Sequence, residues 1–319
     1  MSYFLGIDAG ATKTQCAVAQ DADVLARVQG GSIQIRRVGE EAARENLRAM
    51  LATLVRQCGV QLQSVTGTCV GLSGNAIVSV ADWVRIALAA RVGGPIVIRG
   101  DEEIALDAAF HGGRGILAIA GTGSHIMGRT CAGEIFRTGG WGPVLSDQGA
   151  GSRIGLLAVR AIFHSIDAGE QTSLLPAVHA AWGTRTLDEL IDLGNRMPGP
   201  DFSRLAPIVA DCAKNGDPSA RRVLQQSGEE IADLLLLAMR KGSALEARGE
   251  GSDFPTPSES RPEPWTVAYT GSVIEKIFAL RESMIAAVLC EQPSAMFQSQ
   301  ATDPLLGALW RARQDAPIP

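Results

Sequence analysis

The chain has 319 residues, of which 46% are hydrophobic and 20% are charged, and its formal net charge is −5. This length and composition predict a folded protein with two domains of about 150 residues each and exclude a disordered chain. The negative charge, without any block of lysine and arginine, argues against nucleic acid as a partner, because phosphate neutralisation needs clustered basic side chains.

No apolar run reaches the roughly 20 residues that span a bilayer, and the N-terminus leads directly into a predicted strand. We therefore expect a cytoplasmic protein without a membrane partner. The six cysteines form no C-x-x-C pair, and the four histidines do not stand near them at metal-ligand spacing. This pattern is typical of buried free thiols rather than of a metal site.

The first part of the chain predicts a β-meander followed by alternating helices and strands. Strands are expected over residues 3–9, 14–19 and 24–28, where apolar runs are separated by small polar turns. A helix ending near Gly59 follows, because apolar residues recur at spacings of three and four, namely Ala43, Leu47, Met50, Leu51, Leu54 and Val55. The order to residue 113 is βββαβαβα.

The same order begins again in the second part of the chain. Residues 115–140 repeat the strand, Gly/Thr turn, strand, small-residue turn and strand of residues 3–31, which suggests a structural duplication. From Ile154 the chain is predicted to be largely helical until a polar Pro/Ser/Glu stretch at 248–264, expected as an exposed loop. A strand, a Gly-Ser turn and one helix over 274–290 follow, and Asp303 is a candidate N-cap of a final helix.

Two Gly/Thr turns are candidate phosphate-binding elements. The stretch GIDAGATKT at the start lacks the spacing of the common phosphate loop, and a strand rather than a helix follows it. The turn 121–124, of sequence GTGS, stands at the equivalent place in the second repeat. Facing each other, two such hairpins would offer N–H groups and hydroxyls to the phosphates of a nucleotide. Taken alone, each is more often an ordinary hairpin.

With Asp8, Asp101 and the sequence GSV at 271–273, these turns resemble the sugar kinase, heat-shock chaperone and actin superfamily. Within it, the chain resembles the N-acetylglucosamine kinase-like branch of the BadF/BadG/BcrA/BcrD ATPase family. The matching stretches run nearly from end to end and read GIDAGATKT, GLSG, RGDEEIAL, AGTGS, GGWGPVLSDQGAGSRIG, YTGSV and LLGALWRA.

The resemblance implies an α/β protein of two ribonuclease H-like domains, the actin-like ATPase fold with an interdomain cleft, in agreement with the repeated order of elements. We place the domains at residues 1–112 and 113–319, the second with a helical insertion. The final helix, at about 303–314, is expected to pack back on the first domain.

The resemblance also implies ATP and Mg²⁺ as cofactors. Asp8 would hold Mg²⁺ through water, although a turn-capping acid is the alternative, and Lys13 equally fits a solvated hairpin lysine. Asp101 would be the catalytic base that accepts the proton of a sugar hydroxyl, although an Asp before two glutamates is also a typical helix N-cap. The nucleotide-binding residues would be Asp8, Gly10, Thr12, Lys13, Gly121, Thr122, Gly123, Gly271 and Ser272.

The implied sugar-binding residues are Gln34, Gly140, Trp141, Gly142, Asp147 and Gln148. The chain departs from the family in three places. Ser146 and Gln148 flank Asp147 where the family loop reads close to G-D-E-G-S-G, and Gln34 stands at an Asn position. Ala9 and Ala11 replace glycines, which a turn with negative φ at both positions would tolerate.

The expected activity is ATP-dependent phosphorylation of an amino sugar, first of all N-acetylglucosamine at its 6-hydroxyl, by a protein whose relatives suggest a homodimer. Glucosamine or N-acetylmuramic acid as substrate, or a non-catalytic sensor of ATP or sugar, are the alternatives. Iron–sulfur activators of the same branch need clustered cysteines, and Cys131 has no partner before Cys212. The repressor, open-reading-frame and kinase family has a clustered Cys/His motif that this sequence lacks.

Overall fold

The computed structural model describes residues 2–10, 12–73, 78–249 and 263–316. They belong to two compact units, each with a five-stranded sheet. Unit 1 consists of Met1–Gly113 and Thr302–Pro319, and unit 2 of Arg114–Ala301. Among the described residues, no helix is both long and apolar enough to cross a membrane.

Unit 1 contains a mixed sheet whose strand order is β3-β2-β1-β4-β5. The strands are β1 (Tyr3–Ala9), β2 (Lys13–Gln20), β3 (Asp23–Gly31), β4 (Val65–Leu72) and β5 (Ile96–Gly100). The helices are α1 (Ile35–Val38), α2 (Glu40–Cys58), α3 (Val78–Ala89) and α4 (Asp101–Phe110), with a short 3₁₀ turn at Leu62–Ser64. Tight turns make β1, β2 and β3 antiparallel, whereas helical crossovers make β1, β4 and β5 parallel.

Unit 2 repeats this plan with the strand order β10-β9-β6-β7-β8. Its strands are β6 (Gly115–Ala120), β7 (Ser124–Arg129), β8 (Ile135–Gly139), β9 (Thr266–Thr270) and β10 (Met296–Phe297). Its helices are α5 (Gly151–Asp167), α6 (Leu174–Trp182), α7 (Leu187–Gly194), α8 (Ala206–Lys214), α9 (Pro218–Gly249), α10 (Ser272–Lys276) and α11 (Phe278–Glu291), with a 3₁₀ turn at Phe202–Leu205. The two sheets confirm the predicted α/β fold class and its repeated meander.

Alternation along β1 buries both faces of the first sheet. Leu5 and Ile7 belong to the core under α2 and α3, whereas Phe4 belongs to a smaller core on the opposite face. That smaller core is completed by the final helix, α12 (Pro304–Gln314), which contributes Leu305 and Leu309. The end of the chain therefore belongs to unit 1.

Two sequence expectations about helices are wrong. The single helix over 274–290 is two helices, because Ile277 leaves the helical region at φ −96° and ψ 86°. The guanidinium of Arg281 donates to the carbonyls of Ile274 and Glu275, which the break leaves available. The expected loop 248–264 does not include Arg248 and Gly249, which continue α9; its residues 250–262 lie outside the described part of the chain.

The prediction of buried free thiols holds for half of the cysteines. All six are free, and Cys16, Cys69 and Cys212 are buried, but Cys58 is half-buried and Cys131 and Cys290 are exposed. Burial raises the pKa of the Cys16 and Cys69 thiols to about 12. These two thiols are therefore uncharged parts of the core.

Close contact between α12 and α4 generates a stability prediction. A Cβ on Gly307 would lie 1.8 Å from the carbonyl oxygen of Ile104, so Gly307→Ala must push the two helices apart. We expect a loss of roughly 1–3 kcal/mol of stability and a clearly lower Tm, measured by circular dichroism.

Gly194→Ala is the matched control, because it also changes a helical glycine but a Cβ there meets no atom within 4 Å. Its Tm should equal or exceed that of the unmodified protein. Equal melting temperatures for the two variants would contradict the close packing of α12.

Candidate active site

Two predicted acids lie at the carboxyl edge of the first sheet. Asp8 is the penultimate residue of β1, and Asp101 follows β5 as the first residue of α4. The pKa of Asp8 is raised to about 6, first by burial and then by the neighbouring carboxylates of Asp101 and Asp303, and Lys13 and Arg27 lower it in part. The structure therefore places Asp101 where its negative charge raises the pKa of Asp8.

The helix that begins at Asp101 is capped differently from the expectation. Gly100, not Asp101, occupies the N-cap position, and the carboxylate of Glu103 accepts a hydrogen bond from the Gly100 N–H at 3.2 Å. Asp101 accepts from the Glu102 N–H at 3.1 Å. Asp101 is therefore not the N-cap residue, which corrects that alternative, although its carboxylate bonds to one N–H of the first turn.

Asp303 is the residue of this acidic cluster that sequence reasoning treated only as a cap. The capping prediction is confirmed, since its carboxylate accepts from the Leu305 N–H at 3.2 Å. The same carboxylate forms a 2.5 Å ion pair with Arg27, which also donates to Gln15 at 2.6 Å. No local motif could indicate this, because Asp303 and Arg27 are brought together by the final helix.

The first Gly/Thr turn connects β1 with β2. Ala9 is fully buried and does not have a positive φ, so its methyl group is accommodated in an extended backbone; Ala11 lies outside the described residues. Thr12 and Lys13 are exposed, and the carbonyl of Gly10 accepts a hydrogen bond from the Ser32 hydroxyl at 3.3 Å.

Gln34 lies beside this turn, on the segment that follows β3. Its main-chain N–H donates to the Ser32 hydroxyl at 3.2 Å, and its side-chain amide donates to the Ser73 carbonyl. The Asn46 amide also donates to the Ser32 carbonyl at 2.8 Å. Ser32 and Asn46 hold the segment in place and were missed, because a serine and a helical asparagine carry no signal by themselves; Gly74, the last residue of GLSG, lies outside the described part.

The second Gly/Thr turn connects β6 with β7 in unit 2. The N–H of Gly151, at the start of α5, donates to the carbonyl of Gly121 at 2.8 Å, and the Ser152 hydroxyl donates to that of Thr122 at 3.0 Å. A Cβ on Gly271 would lie 2.4 Å from the Ala120 carbonyl oxygen, at a φ of +109°. Only glycine fits this close approach of β9 to β6.

A cavity of about 410 Å³ opens beside this turn. It brings together the predicted residues Gly121, Thr122 and Ser272 with side chains of α8 and α10. Its lining is Gly121, Thr122, Gly151, Ser203, Ala206, Pro207, Ala210, Asp211, Ser272, Val273, Lys276 and Ile277. Gly123 and Gly271 adjoin the cavity in sequence without lining it. Sequence reasoning missed α8, because small and apolar residues on a helix are typical of any core.

The predicted sugar loop follows β8. Gly140 and Gly142 adopt φ values of +75° and +94°, and between them Trp141 is 72% exposed. Asp147 is buried with a φ of +62°. One of its carboxylate oxygens lies 3.0 Å from the position that a Cβ on Gly123 would occupy. The loop therefore contacts the second Gly/Thr turn.

A serine hydroxyl joins the same two segments. Ser124 donates to the main-chain carbonyl of Gln148 at 2.6 Å, while the Gln148 side chain accepts from the Ser146 hydroxyl at 2.7 Å. The two residues that depart from the family loop, Ser146 and Gln148, are thus hydrogen-bonded to each other. In this structure the Gln148 amide oxygen bonds within the loop.

Comparison with known proteins gives concordant results. A model described as the BadF/BadG/BcrA/BcrD ATPase family matches residues 5–284. The chain is 28% identical over 239 residues to the N-acetylmuramic acid/N-acetylglucosamine kinase of Clostridium acetobutylicum, with 72% of this chain and 77% of that protein covered. It is 26% identical to the N-acetyl-D-glucosamine kinase of Dictyostelium discoideum, with 96% of each chain covered.

Solved structures share the fold. A candidate N-acetylglucosamine kinase from Chromobacterium violaceum superimposes with a TM-score of 0.69 at 24% sequence identity, covering 97% of this chain and 98% of that one. This likeness, together with the two sheets, confirms the predicted actin-like ATPase class of fold.

The raised pKa of Asp8 predicts how the stability of the ligand-free protein depends on pH. The folded state binds the proton more tightly than the unfolded chain, since the pKa is about 6 instead of 3.8. Protonated Asp8 therefore contributes its full stabilisation of the folded state below pH 4, and this contribution is lost as the pH rises through 6. A shift of two units corresponds to about 3 kcal/mol, and we expect about 2 kcal/mol because Asp8 is only partly buried.

Thermal unfolding without nucleotide or divalent cations, from pH 4 to 7, measures this effect. The stability of Asp8→Asn relative to the unmodified protein should increase with pH over this range. Asp21→Asn changes an exposed acid of the same unit and serves as the control. Parallel curves for the unmodified protein and Asp8→Asn would show that Asp8 does not carry this proton.

Proposed function

The chain belongs to the BadF/BadG/BcrA/BcrD ATPase family, and on that premise we propose that it is an ATP-dependent amino-sugar kinase. Two relatives that it resembles along most of its length are kinases of N-acetylglucosamine, and one of them also has N-acetylmuramic acid in its name. The observation that carries the proposal is the placement of Asp8 at the end of β1 and of Asp101 at the start of α4, two acids at one edge of the first sheet.

Asp101 is proposed as the catalytic base. Its position at a strand-to-helix junction fixes the main chain, and its carboxylate is oriented at the start of α4 by the hydrogen bond that it accepts from the Glu102 N–H. Asp101 accepts the proton of the sugar hydroxyl while the hydroxyl oxygen attacks the γ-phosphorus of ATP, and ADP leaves as the bond from the γ-phosphorus to the bridging oxygen breaks. A base placed in this way contributes roughly 10²- to 10⁴-fold to the rate.

The residues around Asp8 fit Mg²⁺ delivered with ATP. The partly buried carboxylate of Asp8 has a raised pKa beside Asp101 and Asp303, and Lys13 and Arg27 offset this only in part, so a divalent cation would supply countercharge. No cluster of three or more ligating side chains occurs among the described residues, which suits an ion held by one carboxylate, water and phosphate oxygens. When bound, Mg²⁺ offsets the charge of the transferring phosphoryl group. Asp8 orients its hydration shell.

The cavity in unit 2 is proposed to bind the nucleoside part of ATP. Its volume of about 410 Å³ lies within the usual range of roughly 300–1,000 Å³ for small-molecule sites. Small and apolar side chains offer flat surfaces to a base, and the Gly/Thr turn offers main-chain groups to phosphates. The apolar lining residues are Ala206, Pro207, Ala210, Val273 and Ile277.

The loop that contains Asp147 is proposed to bind the sugar. A buried carboxylate accepts hydrogen bonds from hydroxyls, and an exposed indole such as that of Trp141 covers a sugar ring. Gln34 is proposed as a further contact, to a hydroxyl or an acetamido group. N-acetylglucosamine, phosphorylated on its 6-hydroxyl, is the proposed substrate. Glucosamine and N-acetylmuramic acid remain the alternatives among amino sugars.

Three further proposals rest on the family resemblance. We propose that the activity requires Mg²⁺, that the protein acts in the cytoplasm, and that it is a homodimer. Light scattering coupled to size-exclusion chromatography measures the mass in solution, and the 33.5 kDa chain should elute with twice that mass.

A coupled assay of ADP release tests the kinase activity. Candidate substrates are N-acetylglucosamine, glucosamine, N-acetylmannosamine, N-acetylmuramic acid and glucose, and we expect the highest kcat/KM for N-acetylglucosamine. Asp101→Asn should lower kcat by about 10²-fold or more, because it removes the base. Asp82→Asn, an exposed acid on α3, should leave kcat unchanged.

No turnover of any of these sugars would favour the non-catalytic sensor. Undiminished turnover by Asp101→Asn would remove Asp101 as the base.

A larger side chain in the cavity tests where the nucleotide binds. Ala210 lies on α8 and lines the cavity, so the larger side chain of Ala210→Leu would occupy part of the cavity. This variant should raise the KM for ATP by about tenfold while leaving the KM for the sugar unchanged. Ala168→Leu adds the same side chain at an exposed position after α5 and is the control. An unchanged KM for ATP in Ala210→Leu would contradict the assignment of the cavity.

A further inference from the structure

A carboxylate of helix α9 accepts a hydrogen bond from the loop after β8, which is proposed to bind the sugar. Glu230 accepts a hydrogen bond from the Gly149 N–H at 3.2 Å. The same carboxylate forms a two-pronged ion pair with Arg153 of α5, with contacts of 3.1 Å from Nε and 2.8 Å from Nη2. The side chain of Glu230 is 15% exposed. One partly buried acid therefore connects the loop, the first turn of α5 and α9.

The main chain at Asp147 and Gly149 has a conformation that neighbouring contacts must stabilise. Asp147 and Gly149 both have left-handed φ values, of +62° and +69°, and a non-glycine residue such as Asp147 adopts this conformation at a cost. Gly149 also lies so close to α9 that a Cβ would come within 2.4 Å of the Ser227 carbonyl oxygen. The bond from Gly149 to Glu230 fixes the main chain two residues after Asp147.

A displacement of Gly149 would also move the loop that contains Asp147 and the second Gly/Thr turn. The carbonyl of Gln148, which precedes Gly149, accepts the Ser124 hydroxyl of the second Gly/Thr turn. The Asp147 carboxylate contacts that turn at Gly123. The orientation of Asp147 is therefore set from two sides, by the turn and by Glu230.

We propose that Glu230 is a positioning residue for sugar binding, which acts by holding the Gly149 N–H and so the Asp147 carboxylate in the orientation that receives the sugar. This inference rests on the proposed function, because it assigns Asp147 to the sugar. Glu230 does not line the cavity proposed for the nucleoside and acts through the Gly149 N–H. Its removal should weaken sugar binding far more than nucleotide binding or the transfer step.

Unit 2 contains a matched control of the same construction. Glu246, also on α9, accepts from the main-chain N–H of Cys131 at 3.0 Å and forms a two-pronged ion pair with Arg114 at 2.8 and 3.1 Å. Its side chain is 20% exposed. Glu246→Ala thus removes an equivalent set of bonds at the β7–β8 turn. The two acids hold different segments, and Glu230 also accepts a hydrogen bond from the Gln226 amide at 3.2 Å.

The experiment combines hydrogen–deuterium exchange with steady-state kinetics on the full chain. Glu230→Ala should increase exchange in peptides covering residues 140–152 of the ligand-free protein. It should also raise the KM for N-acetylglucosamine by about tenfold, with the KM for ATP and kcat changed by less than about twofold. Glu230→Gln should recover most of the sugar affinity, because its amide oxygen still accepts from Gly149.

Glu246→Ala should lower the Tm without changing loop exchange or the KM for the sugar. Unchanged exchange of the loop in Glu230→Ala, or equal effects of Glu230→Ala and Glu246→Ala on the sugar KM, would overturn the proposal. If the unmodified protein phosphorylates no amino sugar, the proposed function falls and the sugar-binding role of Glu230 falls with it. Hydrogen–deuterium exchange, which requires no substrate, would still measure whether Glu230 stabilises the loop.

Discussion

The charge of Asp8 is the constraint around which unit 1 is arranged. Burial at the end of β1 disfavours the ionised carboxylate, and Asp101 and Asp303 disfavour it further. Lys13 and Arg27 offset only part of this effect, and Arg27 is also paired with Asp303. Asp8 therefore lies where a positive charge is stabilising, which fits the proposed site for a phosphate-bound cation. The final helix returns to the first sheet because Leu305 and Leu309 complete the smaller core there, and it brings Asp303 with it.

Each unit joins its Gly/Thr turn to its predicted sugar-binding segment through one serine hydroxyl. In unit 1, Ser32 bonds to the Gly10 carbonyl and to the main chain of Gln34. In unit 2, Ser124 bonds to the Gln148 carbonyl. A short side-chain bond between two loops transmits small displacements, since neither loop can move alone without breaking it. The segments proposed to bind phosphate and sugar are therefore joined by hydrogen bonds within each unit, and Glu230 extends this connection to α9.

Much of the fold could be predicted from the sequence because its signals are local. The apolar runs of β1 and β2, the apolar periodicity of α2 and the cap at Asp303 each depend on neighbouring residues. The break at Ile277 could not be predicted, because it is stabilised by Arg281, which satisfies two carbonyls from the following turn. The capping role expected for Asp101 belongs instead to Gly100 and Glu103, since a capping pattern does not say which of several acids reaches the free N–H.

The candidate site shows the same division. Asp8, Asp101 and the two Gly/Thr turns were predicted from motif resemblance, whereas Ser32, Glu230 and the α8 wall of the cavity become visible only in three dimensions. ³¹P NMR of a reaction containing ATP, Mg²⁺ and N-acetylglucosamine tests the central claim most directly. The account predicts that ATP is converted to ADP and a phosphate monoester coupled to the C6 protons of the sugar. Release of inorganic phosphate alone, or unchanged ATP, would contradict it.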